Sequence, residues 1–102
     1  MGMDVYAYGS FDDRQKLCMM CWRKPYAFEA WLGQHGPQDG METEGYTVRL
    51  TPALFAMAEK LAETDAESGE GDFWHQWTDT DFNWRARLAL EAGATIMIYV
   101  SP

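Results

Sequence analysis

Cys18-Met19-Met20-Cys21 is the first constellation in the chain with chemical potential. A C-x-x-C spacing serves dithiol redox chemistry or supplies half of a zinc site. The redox use needs the first thiol at a helix N-terminus, where the dipole lowers its pKa. Here the pair falls in the middle or at the end of a helix expected over residues 11 to 23, so that lowering is missing. A zinc site needs four ligands, and His35 and His75 do not form an H-x-x-x-H type pair. The two cysteines therefore read as buried core thiols. The alternative is a small thiol enzyme or redox/metal module centred on Cys18 and Cys21.

The remaining polar residues give weaker signals. His35 sits in a Gly-rich run, Gly33-Gln-His-Gly36, and His75 lies between Trp74 and Gln76. A general base needs an orienting carboxylate and a nucleophile within reach. Acids are abundant, but no Ser or Cys elbow accompanies them, so both histidines read as surface or rim residues. Asp79-Thr-Asp81 looks like a fragment of a cation loop, yet the EF-hand pattern of Gly at position six and Glu at position twelve starts at neither Asp72 nor Asp79. Asp65-Ala-Glu67-Ser-Gly69 fails in the same way. Gly69-Glu-Gly71 is flanked by acids that would repel phosphate. The expectation is a protein without catalytic residues, metal or cofactor.

Charge is the most informative feature. The 102 residues carry a formal net charge of −8, from sixteen acidic and eight basic side chains. Between Glu59 and Asp81 lie eight acids (Glu59, Glu63, Asp65, Glu67, Glu70, Asp72, Asp79 and Asp81) against one base, Lys60. The other bases lie elsewhere: Arg14, Lys16, Arg23, Lys24, Arg49, Arg85 and Arg87. The chain as a whole is repelled by nucleic acid, which leaves basic proteins or cations as partners. Carboxylates recurring every two to four residues would present a row of negative charge to a basic groove and compete there with nucleic acid. The bland alternative is a solvated acidic loop that only maintains solubility. Beside this stretch stand Phe73, Trp74, Trp77, Phe82 and Trp84. Phe82 and Trp77 read as core, and Trp74 or Trp84 as partly exposed.

The elements that position these residues follow from pattern. Residues 3–8 are rich in strand formers and end at Gly9. Ser10 reads as an N-cap, with Asp12 and Asp13 in the first turn of a helix whose apolar side holds Leu17, Met20 and Cys21. Pro25 breaks that helix and opens a shorter one, carrying Tyr26, Phe28, Trp31 and Leu32, that stops at Gly33. Residues 34–45 read as an irregular loop. Residues 46–50 alternate as a strand, and Thr51-Pro52 starts a helix to about residue 63 with Leu54, Met57, Ala58 and Leu61 on one stripe. Residues 64–72 read as an exposed acidic loop. Residues 73–77 form a turn or short helix, and Thr80 or Asp81 caps a last helix over residues 82–92. Residues 94–100, apolar at odd and even positions alike, read as a central strand covered on both faces.

The expected architecture is thus α+β, a single domain over residues 1–102 with the order β-α-α-β-α-α-β. A small three-stranded mixed or parallel sheet would pack with about four helices, its last strand in the middle. The composition, 47% hydrophobic and 15% aromatic, supports a core that folds without disulfides or metal. The N-terminus lacks the basic and apolar regions of a signal peptide, and the longest apolar run, residues 94–100, is too short to span a bilayer. The expected location is cytoplasmic.

In size, acidity and lack of an enzymatic motif the chain resembles small acidic phage-encoded inhibitors of the DNA-mimic and anti-CRISPR kind. That resemblance implies a non-enzymatic inhibitor that occupies the basic nucleic-acid-binding groove of a partner protein, without contacting nucleic acid or membrane. The residues expected to make the contact are Glu63, Asp65, Glu67, Glu70, Asp72, Asp79 and Asp81, with Trp74 as the anchor.

Overall fold

Thr51 opens the longest helix as its sequence requires. Its side-chain oxygen accepts a hydrogen bond from the Leu54 N–H at 3.1 Å, and Pro52 follows at the first helical position. From such local signals and the packing of their apolar faces the chain builds, in order, β1 (Asp4–Ser10), β2 (Leu17–Arg23), α1 (Tyr26–His35), β3 (Tyr46–Arg49), α2 (Pro52–Ser68), α3 (Asp72–Trp77), a 3₁₀ turn (Asp79–Asp81), α4 (Phe82–Glu91) and β4 (Thr95–Ser101). The computed structural model describes residues 4–11, 16–35, 45–69 and 71–101. Among them, no helix is long and apolar enough to cross a membrane.

The α+β class is as expected, but the sheet is not. It has four strands in the order β2-β1-β4-β3, and every neighbouring pair is antiparallel. The expected three-stranded mixed or parallel sheet and the β-α-α-β-α-α-β order are both overturned: Asp72–Trp77 forms a helix of its own, so three helices separate β3 from β4, and the larger change lies before α1. The residues expected to end the first helix form β2 instead, paired with β1 from Asp4↔Arg23 to Gly9↔Leu17. A bulge explains the misleading pattern. Ala7 pairs with Met20 but Tyr8 pairs with Cys18, so Met19 is an extra residue on the β2 side. The extra residue turns the strand period of two into a local step of three and puts Cys18 and Cys21 on the same face. A step of three is also what a helix produces. Gly9 makes room beside the bulge, since a Cβ there would lie 2.9 Å from the Met19 sulfur.

One face of the sheet is covered by the helices, and among the described residues no helix or strand packs on the other. Val5, Ala7, Trp22, Tyr46, Val48, Ile96, Ile98 and Val100 point into the core, where they meet Phe28, Leu32, Phe55, Ala58, Phe73, Trp77, Phe82 and Ala86 of the helices. β4 sits between β1 and β3, in the middle as expected, yet its burial alternates strictly. Its Thr95, Met97 and Tyr99 are only half-buried, so the expectation of cover on both faces fails. The aromatic core is continuous. Trp77, fully buried, touches the rings of Phe28, Phe55, Phe73 and Phe82, and Trp22 packs edge-on to Phe82 at 4.7 Å.

α2 corrects two further expectations. It runs to Ser68, five residues beyond position 63, and ends at Gly69 in the left-handed region at φ 92°. Most of the expected acidic loop is therefore helix. Its buried stripe is Phe55, Ala58 and Ala62, while Met57 and Leu61 are exposed. Two adjacent helical stripes are apolar in sequence, and packing against Trp77 selects the one that carries the larger aromatic. Gln76 of α3 joins three elements. Its side-chain oxygen accepts from the Phe28 N–H in the first turn of α1, and its backbone carbonyl accepts from the Trp22 indole, both at 2.8 Å.

Candidate functional site

The acidic residues separate into two groups by what they touch. Two are built into the fold. Glu59, half-buried on α2, accepts from the Trp77 indole N–H at 2.5 Å, and its other oxygen meets the Arg87 guanidinium at 2.7 Å. Asp65, also on α2, accepts from the Trp74 backbone N–H at 3.1 Å. That bond satisfies an orphan donor in the first turn of α3, whose own N-cap residue, Gly71, has no side chain to do so. Asp65, one of the residues expected at the partner contact, caps a helix.

The second group faces water. Glu63 and Glu67 lie one turn apart on α2 and are exposed, as are Asp72, Asp79 and Asp81. Among the described residues, the side chains of Glu63, Glu67, Asp72 and Asp81 have no hydrogen-bond or ion-pair partner, and the Asp79 carboxylate accepts from the hydroxyl of its neighbour Thr80 at 3.0 Å. Asp81 holds the N-cap position of α4 without making a side-chain cap bond. Thr80 and Asp81 have φ of 51° and 59°, a left-handed pair that L side chains adopt at a cost. Glu70 lies outside the described residues. No three His, Cys, Asp or Glu side chains among the described residues are grouped to hold a metal ion.

Trp74 is half-buried and packs against the core, whereas Trp84 on α4 is 57% exposed. The Arg87 guanidinium lies 5.6 Å from the Trp84 ring centroid and 5.9 Å from that of Phe55, within cation–π range. Arg87 thus orients Trp84 while it pairs with Glu59. A shallow groove between α2 and α4 is lined by Phe55, Ala56, Glu59, Lys60, Glu63 and Arg87, the residue that also meets the Trp84 ring.

Both cysteines are free and exposed on β2, not buried thiols in a helix. Desolvation raises the pKa of Cys21, the negative charges of Asp4 and Cys18 raise it further, and Arg23 offsets part of this. A raised pKa keeps the thiol protonated at neutral pH, opposite to what a catalytic or metal-binding cysteine needs. His75 is exposed, and His35, ending α1, packs against Trp31 at 4.8 Å.

The open sheet face was not anticipated. Its central strands present Tyr6 and Tyr8 from β1 and Met97 and Tyr99 from β4, flanked by Cys18 and Cys21 on β2 and by Thr47 and Arg49 on β3. The signal was present as every second residue of two strands. It was hidden because β4 read as covered on both sides. No protein-family model, curated protein or solved structure matches the chain.

Proposed function

We propose that the protein is a non-enzymatic acidic binding protein that occupies the basic nucleic-acid-binding groove of a partner protein, in the manner of DNA-mimic or anti-CRISPR-like inhibitors. The observation that carries the reading is the division of labour among the acids. Glu59 and Asp65 serve the fold, while Glu63, Glu67, Asp72, Asp79 and Asp81 stay exposed on the helix layer. Like charges on one folded surface repel one another, and carboxylates that the fold does not use suit a role in recognition. Charge of this kind steers association and selects a basic surface. Trp84, exposed beside the α2–α4 groove and oriented by Arg87, replaces Trp74 as the aromatic anchor, because hot spots centre on Trp and Arg. Such a partner implies a cytoplasmic site of action.

The test is capture of proteins from a nuclease-treated lysate on immobilised protein. The wild type retains nucleic-acid-binding proteins that salt or added DNA releases. The variant with Glu63→Gln, Glu67→Gln, Asp72→Asn and Asp79→Asn loses them, and Trp84→Ala weakens capture at low salt. Equal capture by the wild type and the charge variant, indifferent to DNA, would sink the proposal.

A further inference from the structure

The open sheet face differs from the helix layer in charge as well as chemistry. Three rings, Tyr6, Tyr8 and Tyr99, lie on the two central strands, half-exposed. Tyr6–Tyr8 and Tyr6–Tyr99 have ring centroids 6.3 and 6.4 Å apart, with planes inclined by 26° and 22°. Rings this far apart are offset and do not close face to face. Around them, among the described residues, Arg23 and Arg49 at strand positions of this face and Lys16 just before β2 stand against one carboxylate, Asp4. A depression of about 400 Å³ is lined by Tyr8, Lys16, Thr47, Met97 and Tyr99, so that one cation sits with two of the rings.

We propose that this face is a platform for single-stranded nucleic acid, with bases stacking on Tyr6 and Tyr8 and phosphates meeting Lys16 and Arg49. Aromatic side chains interleaved with cations on an exposed sheet suit unpaired bases, because every base offers a π-face and every nucleotide a charge. The surface is flat, with no helix or ribbon on it among the described residues that would enter a duplex groove. A protein-binding core would instead be dominated by apolar side chains, and the only aliphatic one among the central rings is Met97. The net charge does not forbid the contact. The exposed acids of α2, α3 and the 3₁₀ turn belong to the opposite layer, the molecule is 22 Å across its shortest axis, and the Debye length at physiological salt is about 8 Å. The inference uses a different face and different residues from the acidic-binder reading, and it revises the expectation that the protein makes no direct contact with nucleic acid.

The test is fluorescence anisotropy with labelled oligothymidine and oligouridine of about twelve nucleotides, a length within the range of one small binding fold. The single strands bind at 50 mM salt, more tightly than a duplex of the same length. Affinity falls with salt at a log–log slope of about −1.4, as expected for two cations on a single strand. Tyr6→Ala and Tyr8→Ala each weaken binding by about tenfold or more, and Tyr8→Phe restores it. The pair Lys16→Ala and Arg49→Ala lowers the salt slope. Saturating oligonucleotide also slows alkylation of Cys18 and Cys21, which lie beside Tyr8 and Tyr6. Circular dichroism melts confirm that each variant is folded. Absence of binding at 50 mM salt overturns the proposal, as does binding that ignores the tyrosines or leaves the cysteines unprotected. Binding of polyglutamate to the same residues in place of the oligonucleotides also overturns it, in favour of an acidic protein partner. Glu67→Gln and Asp79→Asn leave oligonucleotide binding unchanged, so the two readings fail separately.

Discussion

The indole N–H of the fully buried Trp77 donates to the Glu59 carboxylate, across 18 residues of sequence. The bond fixes α2 against the aromatic core and reserves one of the eight acids of the charged stretch for structure. Removing the carboxylate leaves a buried donor unpaired, at a cost of about 1–3 kcal/mol. The Glu59–Arg87 ion pair is partly exposed, with the Arg87 side chain 45% open to water, and solvent-screened pairs typically contribute below about 1 kcal/mol. Urea denaturation therefore shows a large loss for Glu59→Ala and a small one for Arg87→Ala. Equal losses would move the weight from the indole bond to the ion pair.

Asp65 and Glu67 stand two residues apart on one helix and predict opposite phenotypes. Asp65→Ala removes the acceptor for the Trp74 N–H and costs about 1 kcal/mol, as other helix caps do. Glu67→Gln changes stability by less than about 0.5 kcal/mol, since it is an exposed side chain without a partner. Thermal melts check the first, and partner capture responds only to the second.

Gln76→Ala uncaps α1 by removing the acceptor for the Phe28 N–H, with an expected loss of about 1 kcal/mol. Gln76→Glu keeps an acceptor at that helix N-terminus, where the dipole favours negative charge, and retains most of the stability. If the two variants melt together, the side-chain bond is not what holds α1 to α3.

Cys21 labels slowly at neutral pH in the folded protein despite its exposure, because desolvation first and the Asp4 and Cys18 charges second hold its pKa above the ordinary value. Mass-resolved alkylation across pH shows its rate climbing at higher pH than that of the unfolded chain. Asp4→Asn moves that rise to lower pH. A Cys21 rate at neutral pH above the unfolded rate would revive the thiol-enzyme reading.

Tyr46 predicts a loss of stability in alkali. Burial raises its pKa above the usual value of about 10, and the bond it donates to the Glu29 carboxylate at 2.8 Å adds to the shift. Above pH 10 the unfolded chain releases this proton while the folded protein keeps it. Folding then binds the extra proton, so stability is full below pH 10 and declines as pH rises above it, by at most about 1.4 kcal/mol per pH unit. Tyr46→Phe lowers stability at neutral pH by removing the bond and flattens the alkaline slope. An unchanged slope in that variant would assign the decline to another group.

The sequence by itself determined the elements whose signals are local. Thr51-Pro52 started α2, Pro25 preceded α1, Glu67 and Asp72 stayed at the surface, and the strand-forming runs at 3–8, 46–50 and 94–100 became β1, β3 and β4 with slightly shifted ends. Phe82 and Trp77 were legible as core because large aromatics in a small domain have few other places to go. Tertiary structure decided the rest. Leu17, Met20 and Cys21 match a helix and a bulged strand equally well, and only pairing with β1 resolves them as β2. That pairing added a fourth, antiparallel strand and exposed both thiols. The same limit applied to the site. Composition located the charge, but which carboxylates meet an indole, a helix N-terminus or water depends on partners distant in sequence, such as Trp77 for Glu59 and Trp74 for Asp65. Likewise, which of two apolar faces of β4 is covered depends on helices elsewhere in the chain, which pack on one side of the sheet and leave Tyr6, Tyr8 and Tyr99 on the other.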